Sequence, residues 1–375
     1  MQKIYTAMPT CFYGGSVMQL RMEALSKQLG FDVVSPDAKE HQDGYAKKGM
    51  DHFFGVIKKC DAVLFSGFLD GKISAGVAKE VQFALDLGIP VYSMERGALI
   101  DEIDLRAVLD VEETRKRLKS EKVVFPEDEI VVWFSCGAAS ALAWKKTLEL
   151  YSDFCNVVAV NNPVKEEDED NRRFALDVSD WVGFSLIEWV NPNFPSASAF
   201  DVWEKRKAMS FPNGAPCTNE LKKKARQDYE ANHKVTWHVL GFTVDERHRY
   251  DRFVLSERSN VLPVLIDAGL TKQGCMDLLL SNGISPPRVY AEGYPNANCI
   301  GCVKATSPTY WNLVRRTRPE VFRERAEQSR RLGVRLVRYK GSRIFLDELP
   351  EDAVGRPLKT MQIDCGIFCE ERSFD

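Results

Sequence analysis

Cys299 and Cys302 are separated by two residues, a spacing that lets two sulfur atoms face one ion from a single turn. Thiolates are soft ligands that suit zinc and iron–sulfur clusters. The chain has ten cysteines, and five of them follow Cys217. In a reducing compartment, clustered cysteines indicate metal binding or catalysis rather than a disulfide framework. The sequence therefore predicts a cysteine-ligated metal centre.

A second motif lies where a predicted strand at 130–134 turns into a predicted helix that begins at Ser140. Small residues at such a turn let backbone N–H groups approach an anion, and the helix N-terminus adds a positive dipole. A tight turn whose small residues serve only packing is the alternative. The candidate phosphate-binding residues are Ser135, Cys136, Gly137, Ala138, Ala139 and Ser140.

A third motif opens a predicted helix near residue 77. Ser74 and Gly76 stand at its start, where they can cap free N–H groups and admit a phosphate or a sugar. Glu80 follows one turn later, and a carboxylate placed there can attack an anomeric carbon through an oxocarbenium-like state. Nucleotide binding without turnover, or a structural Glu80 paired with a local lysine, are the alternatives.

Strands and helices alternate in both parts of the chain, which predicts parallel sheets covered by helices on both faces. A charged segment at 101–128, with a helix at 111–118, separates the two parts. We therefore predict an α/β protein with two doubly wound parallel-sheet domains, at 1–100 and 129–375, joined by a linker that contains a helix. The predicted strands are 3–7, 32–35, 62–65, 90–94, 130–134, 156–160, 184–190 and 236–240, and the predicted helices are 18–29, 50–59, 77–87, 111–118 and 140–151.

The composition is that of an ordinary globular protein, with 375 residues of which 44% are hydrophobic and 28% are charged. A net charge of −3 argues against a dedicated nucleic-acid binder, although the arginine-rich stretch 315–343 could follow a polynucleotide backbone. A solvated helix face is the alternative for that stretch. Without an apolar leader or a window of membrane length, we expect a cytoplasmic protein with no membrane partner.

Residues 131–140 resemble the pyrophosphate loop of the phosphoadenosine-phosphosulfate (PAPS) reductase family, in the PP-loop, adenine-nucleotide-hydrolase-like superfamily. The superfamily pattern is SGGxDS, and here Cys136 replaces the first glycine and Ala139 the acidic residue. These departures favour the reductase branch over the ATP pyrophosphatases. Further motifs follow in the same order through 127–375. Among them, residues 240–247 resemble a glycine-plus-arginine loop, which implies that Gly241 and Arg247 face the nucleotide.

The same resemblance implies roles for the cysteines. Cys299 and Cys302 match the cysteine pair of the iron–sulfur-containing adenylylsulfate reductases, and Cys217 lies where those enzymes have two adjacent cysteines. Residues 364–367 resemble the family's catalytic Glu-Cys-Gly-Leu motif, so Cys365 is either a free nucleophile or a fourth ligand, with Cys369 as the other candidate ligand. The implied cofactors are a [4Fe-4S] cluster, with zinc as the alternative, and an adenine nucleotide (ATP, PAPS or APS) with room for Mg²⁺.

The first hundred residues are similar to the nucleoside 2-deoxyribosyltransferase-like fold, a flavodoxin/Rossmann-like arrangement. In that family the glutamate of SxGxxxE is the nucleophile, which implies this role for Glu80, with Tyr5 beside it. Asp61 or Asp70 would then contact the base.

We therefore expect a nucleotide-processing enzyme that binds an adenine nucleotide and performs sulfur-related or adenylyl chemistry. Sulfonucleotide reduction and modification of a nucleotide or nucleic acid are both open. The alternative is a non-catalytic nucleotide sensor with a structural zinc, for example in phage–host conflict. The expected partner is a small-molecule nucleotide, and nucleic acid and a second copy of the chain are further candidates.

Overall fold

The computed structural model describes residues 2–211, 214–361 and 365. The chain divides into two compact units. The first comprises Met1–Asp128, Leu150–Asn156 and Ile266–Gly269, and the second comprises Glu129–Glu149, Val157–Leu265 and Leu270–Asp375. Within the described ranges, no helix is both long and apolar enough to cross a lipid bilayer.

The first unit contains a five-stranded sheet with the strand order β2-β1-β3-β4-β5. Neighbouring strands are parallel except for β5, which pairs antiparallel with β4 at the edge. Strand β3 is buried along its whole length, as expected for a strand covered on both faces. The strands are β1 (Lys3–Ala7), β2 (Asp32–Val34), β3 (Ala62–Phe65), β4 (Val91–Ser93) and β5 (Ala98–Ile100).

Three of the five α-helices of this unit begin at a residue whose side chain caps the helix. The hydroxyl groups of Ser16 and Ser74 accept the N–H groups of Gln19 and Val77 and so cap two helices, and Asp110 forms a capping box with Glu113. Residues after 100 are tied to the sheet layer, because the N–H of Leu109 donates to Ile73 O over 2.8 Å. The helices are α1 (Val17–Gln28), α2 (Lys39–Lys48), α3 (Met50–Ile57), α4 (Ala75–Asp86) and α5 (Val111–Ser120).

The second unit contains another five-stranded sheet, with the order β10-β9-β6-β7-β8. The pairs β6–β9, β9–β10 and β7–β8 are parallel. An α/β protein with two parallel-sheet domains is therefore confirmed. The strands are β6 (Glu129–Phe134), β7 (Asn156–Asn161), β8 (Leu186–Glu188), β9 (Trp237–Val239) and β10 (Val261–Leu262).

Nine helices and a hairpin complete the described chain from residue 138 onward. The hairpin joins β11 (Val337–Tyr339) and β12 (Ser342–Ile344), and a π-helical turn occupies Thr218–Lys223. Trp203, Tyr310 and Trp311 lie at the centre of a large apolar cluster. The helices are α6 (Ala138–Tyr151), α7 (Asp170–Val182), α8 (Ala199–Arg206), α9 (Lys224–Asn232), α10 (Arg247–Ser256), α11 (Val264–Asp267), α12 (Lys272–Ser281), α13 (Pro308–Thr317) and α14 (Pro319–Arg331).

Candidate functional site

Glu80 is a buried carboxyl group in the first unit, where its residue is 6% exposed on α4. The hydroxyl group of Tyr5, on β1, donates a hydrogen bond of 2.9 Å to Glu80 Oε1. Burial raises the pKa of Glu80 to about 8, although the Tyr5 hydrogen bond acts to lower it. The pair predicted from the sequence is therefore in contact, and the protonated form of the acid predominates at neutral pH.

Two further groups share the surroundings of Glu80. Burial, followed by the charges of Glu80 and Asp37, raises the pKa of Tyr13. Asp37 in turn accepts the N–H of Gly14 over 2.9 Å. Ser74 caps α4 as predicted from the sequence, and a Cβ atom at Gly76 would meet no atom within 4 Å.

The two aspartates proposed to contact a base lie in other contacts. Asp61 precedes β3 and accepts the N–H of Lys3, the first residue of β1, over 2.7 Å, so it lies at the amino-terminal edge of the sheet. Asp70 pairs with Arg117 at 3.3 Å and accepts the N–H of Lys72. Neither aspartate is brought to Glu80 by a described contact.

Glu95, which follows β4, was not predicted from the sequence as a site residue. Its carboxylate accepts the N–H of Gly67 over 2.7 Å and the hydroxyl groups of Ser66 and Ser93, each over 3.1 Å. Ser66 and Gly67 follow β3, and parallel strands that pair end at the same edge. The signal available in the sequence was a polar residue directly after each of two neighbouring strands.

In the second unit, the Ser140 side chain lies inside the predicted phosphate loop. Its Oγ accepts the N–H groups of Ser135 and Gly137, each over 3.2 Å, and donates to Gly137 O over 2.9 Å. The hydroxyl group of Tyr290 accepts the N–H of Ala138, which lowers the tyrosine pKa against the larger effect of burial. Three backbone donors of the loop are therefore already bonded, and Ala139 and Ser140 hold the remaining donors of the first helical turn.

Gly241 is brought against this loop, whereas Arg247 is not. A Cβ atom at Gly241 would lie 2.9 Å from Ser140 N and 3.0 Å from Ala139 C, so only glycine leaves this space open. Arg247 begins α10, and its exposed side chain forms no hydrogen bond or ion pair with the described residues. The predicted contact of Arg247 with a nucleotide stays a prediction.

Cys136 has a backbone conformation that is unusual for a residue other than glycine, with φ of +55°. Its thiol is buried, and Asn161 Nδ2 donates to its sulfur over 3.8 Å. Burial raises the pKa of this thiol, and the charge of Glu167 adds to the rise while that of Lys222 opposes it. The Cys136 thiol of the loop therefore lies within electrostatic range of the buried pair formed by Lys222 and Glu167.

Four cysteines from three distant stretches converge in the second unit. Burial raises the pKa of Cys299, and the charges of Cys217, Cys302 and Cys365 raise it further, so all four sulfur atoms lie within electrostatic range. Burial, followed by the charge of Cys365, raises the pKa of Cys302 to about 11. We call Cys217, Cys299, Cys302 and Cys365 the cysteine cluster.

Lys222 interacts electrostatically both with Cys136 of the phosphate loop and with the cysteine cluster. Its Nζ donates to the backbone oxygen of Asn162, after β7, and pairs with Glu167 at 3.0 Å. Burial acts to lower the Lys222 pKa, but the charges of Glu167, Cys365 and Cys299 raise it above its usual value. The Lys222 side chain is 7% exposed, so a buried positive charge lies within electrostatic range of the sulfur atoms.

The turn from Cys299 to Cys302 is held rigidly. The hydroxyl group of Tyr310 accepts the N–H of Cys302 over 2.9 Å and donates to Cys299 O over 3.3 Å. Gly301 has φ of +71°, and a Cβ atom there would lie 3.0 Å from a methyl group of Val321. Tyr310 is therefore a positioning residue for the cysteine pair.

The cluster also has polar neighbours that suit charged sulfur. Trp203 Nε1 is buried without a conventional hydrogen-bond acceptor, and it lowers the pKa of the Cys217 thiol against the larger effect of burial. The hydroxyl group of Thr218 lies 3.6 Å from Cys365 Sγ. An N–H or O–H group that points to sulfur stabilises the thiolate form.

No set of three or more His, Cys, Asp or Glu side chains in the described ranges is placed so that it could hold a metal ion. Cys369, the other candidate ligand, lies outside these ranges, as do Asp364, Gly366 and Ile367 of the C-terminal motif. Cys60, Cys155 and Cys275 are buried, in keeping with the apolar faces on which the sequence places them.

Glu166 and Asp168, in the acidic run 166–170, make structural contacts. Glu166 accepts the N–H groups of Ala199 and Phe200 at the start of α8. Asp168 pairs with Arg288 and Arg318, each at 2.8 Å. These carboxylates are therefore occupied by structural contacts.

No protein family and no curated protein matches the chain. A solved structure titled as a UDP-N-acetylglucosamine 2-epimerase aligns over 76% of this chain and 98% of its own, with 11% identity and a TM-score of 0.17. That similarity is too low to support an argument about fold or function.

The two family resemblances drawn from the sequence are therefore wrong. No family model matches the chain, neither that of the PAPS reductases nor that of the nucleoside 2-deoxyribosyltransferases, and no curated protein of either kind matches it. Both resemblances depended on short motifs, namely strand–turn–helix segments and, for the PAPS reductases, the order of the cysteine motifs after them, and proteins of unrelated function can share such motifs.

Glu80→Gln should stabilise the first unit at high pH. The folded-state pKa of Glu80 is raised from 4.5 to about 8, so its contribution to stability is full below pH 4.5 and is lost as the pH rises to 8. A neutral amide avoids this loss, so the free energy of unfolding at pH 8 should exceed that of the wild type by on the order of 2 kcal/mol.

Thermal unfolding at pH 5 and pH 8 measures this difference, and exposed Glu102→Gln is the control that should show no pH-dependent gain. An equal stability difference at both pH values would contradict a buried, protonated Glu80.

Gly241→Ala should disturb the phosphate loop, because the new methyl group would meet backbone atoms at 2.9 Å and 3.0 Å. We expect a loss of about 1–3 kcal/mol in stability from overpacking. We also expect weaker binding of ATP and of inorganic pyrophosphate, measured by calorimetry. Gly55→Ala is the matched control, since a Cβ atom there meets nothing within 4 Å. Unchanged binding by a folded Gly241→Ala variant would remove the loop as an anion site.

Proposed function

We propose that the second unit is an enzyme that binds the phosphates of a nucleotide at residues 135–140 and uses the cysteine cluster as the ligand set of a metal centre. The observation that carries this proposal is the Lys222–Glu167 pair, which faces both Cys136 of the loop and Cys299 of the cluster. Two elements that are far apart in sequence therefore share one buried charged pair.

The loop supports anion binding through its remaining backbone donors. The N–H groups of Ala139 and Ser140 belong to the first turn of α6, where the helix dipole favours negative charge. Gly241 leaves open the space that a Cβ atom would fill beside Ser140 N. The Ser140 hydroxyl would hold the loop in shape, because it bonds both Ser135 and Gly137.

The cysteine cluster fits a thiolate-ligated metal by its donor set and its neighbours. Four thiols match the requirement of an iron–sulfur cluster or of a four-cysteine zinc site. Lys222 offsets negative charge there, and the indole N–H of Trp203 lies beside Cys217. Binding would require the four cysteine side chains to turn toward one point.

Iron–sulfur ligation is the favoured form of this centre. When bound, such a cluster supplies electron transfer, and the charge near its sulfur atoms sets its potential. The buried Lys222 ammonium near the cysteines suits an iron–sulfur cluster, because the negative charge of such a cluster increases on reduction. Lys222 would hold the local charge balance, Thr218 would orient Cys365, and Tyr310 would fix the Cys299–Cys302 turn. A colourless zinc site would instead favour the nucleotide-sensing alternative.

Metal analysis of the full chain, purified without oxygen, tests the cluster. We expect about four iron atoms per chain and absorbance near 400 nm in the wild type. Cys299→Ala should lose most of the iron. Cys275→Ala is the matched control, because Cys275 is a buried cysteine outside the cluster and should keep the metal. Equal metal content in both variants would end the proposal, and stoichiometric zinc without iron would replace it with the sensing alternative.

A second candidate activity belongs to the first unit, and the Tyr5–Glu80 hydrogen bond favours it. We propose that Glu80 acts as a carboxylate nucleophile on a glycosidic carbon. Tyr5, which donates to Oε1, would orient the carboxylate and leave Oε2 for the reaction. Because only the ionised acid attacks, activity should rise as the pH passes through about 8, the raised pKa of Glu80, and level off above it.

Base release from deoxynucleosides, followed by mass spectrometry between pH 6 and pH 9, measures this activity. Glu80→Gln should abolish release at every pH, and Tyr5→Phe should shift the pH profile to higher values, since the hydrogen bond lowers the Glu80 pKa. Release that falls as the pH rises through 8 would assign Glu80 the role of an acid instead. Equal release by Glu80→Gln would remove Glu80 from the reaction.

A further inference from the structure

The hairpin of β11 and β12 is a narrow two-stranded ribbon. Its turn residues, Lys340 and Gly341, have φ of +45° and +83°. Positive φ at both central residues is the mark of a type I′ turn, which joins two strands in the tightest hairpin. The ribbon is anchored at its base, because Leu336 and Val337 are buried and the N–H of Arg338 donates to Thr306 O over 2.8 Å.

The ribbon places like charges directly opposite each other. Arg338 pairs in register with Arg343 across the two strands. Like charges at such a position destabilise a hairpin. The stretch 330–343 contains six cationic side chains and no acidic one. A contribution to the stability of the hairpin therefore cannot explain the presence of Arg338 and Arg343.

Four exposed cations of this ribbon form no ion pair with the described residues. Their side chains contact rings and backbone instead: Arg335 lies over Phe345, Lys340 lies over Tyr339, and Arg343 donates to Leu336 O. The cations in question are Arg335, Arg338, Lys340 and Arg343.

The neighbouring arginines of α14 behave differently. Arg330 pairs with Asp347 and Glu348, each at 2.9 Å, and Arg331 pairs with Glu204. The first two cations of the stretch 330–343 are therefore neutralised by carboxylates of the chain. The four cations of the ribbon have no such carboxylate partner among the described residues, so their charge can interact with a partner outside the chain.

We propose that the β11–β12 ribbon binds the phosphate backbone of double-stranded DNA. A two-stranded ribbon fits the major groove of B-form DNA, and cations on its outer side meet the phosphates that line the groove. The major groove of A-form RNA is too deep and narrow to admit such a ribbon. The ribbon follows the cysteine pair closely in sequence, since Thr306, its backbone partner, lies four residues after Cys302.

This inference goes beyond the proposed function and can fail separately from it. DNA binding is measured without nucleotide turnover and without reference to metal content. If both hold, the substrate class of the second unit becomes a polynucleotide rather than a free nucleotide.

Fluorescence anisotropy with the full chain and a labelled duplex of about 20 base pairs, titrated at several salt concentrations, tests the ribbon. The double variant Arg338→Ala, Arg343→Ala should bind at least about tenfold more weakly at low salt, and its slope of log affinity against log salt should be smaller by about 1.8. The variant Arg338→Lys, Arg343→Lys keeps both charges and should keep most of the affinity and of the slope.

The control is Arg115→Ala, Arg172→Ala, which removes the same charge from exposed arginines that make no ion pair with the part of the chain that the structure describes. It should change affinity by less than about twofold if local contacts decide binding. Equal losses in the two alanine variants would overturn the proposal, as would absence of DNA binding by the wild type. Tighter binding of duplex RNA than of duplex DNA would contradict the fit to the B-form groove. The melting temperature of the ribbon alanine variant should not fall, because it loses a repulsive pair.

Discussion

A buried ammonium group that keeps its charge is the constraint on which the second unit depends. Burying a charge costs several kcal/mol unless partners replace its water shell. Lys222 finds these partners in the backbone oxygen of Asn162 and the carboxylate of Glu167, and its charge also faces the sulfur atoms of Cys299 and Cys365. Removal of one member would leave the other charged and unpaired, which typically costs 3–5 kcal/mol. This ion pair therefore ties the loop after β7 to the π-helical turn, and its positive charge lies within electrostatic range of the cysteine cluster.

The π-helical turn Thr218–Lys223 explains how one short segment serves several partners. A π-helical turn is wider than an α-helical one, is rare, and often occurs at functional sites. Here it directly follows Cys217, and it carries Thr218 beside Cys365 and Lys222 beside Glu167.

In the first unit, a buried ionisable group is stabilised in its neutral form instead of its charged form. Glu80 has one described hydrogen-bond partner, Tyr5, and burial therefore favours the neutral acid.

The fold was predictable where apolar periodicity dominates the sequence, and unpredictable where it does not. Buried strands such as β1, β3 and β6 consist mostly of apolar residues, so their bounds follow closely from the sequence. Helix α2 has no buried residue and therefore no apolar stripe to recognise. Strand β10 has only two residues, which is too short for any pattern.

The candidate sites were predictable only in part, because spacing along the chain does not reveal contacts in space. The Tyr5–Glu80 contact was expected, and so was the convergence of cysteines on the Cys299–Cys302 pair. Asp61 was misjudged because it precedes β3 instead of following it, and that places it at the opposite edge of the sheet from residues such as Ser66. Lys222 stood among several cations after Cys217, and nothing in the sequence distinguished the buried one. Glu95 was missed because its donors come from two separate loops.

Charge in this chain is informative only when its partners are known. The acidic run 166–170 and the arginine-rich stretch 315–343 look equally like solvated surface in the sequence. The acidic run is built into the fold, since Glu166 binds backbone N–H groups and Asp168 holds two arginines. In the arginine-rich stretch, Arg318, Arg330 and Arg331 are likewise paired, whereas Arg338 faces only Arg343 across the hairpin. A repulsive pair lowers stability, so its presence needs a reason outside the folded chain. The net charge of −3 hides this local imbalance, because composition sums over cations that are occupied and cations that are not.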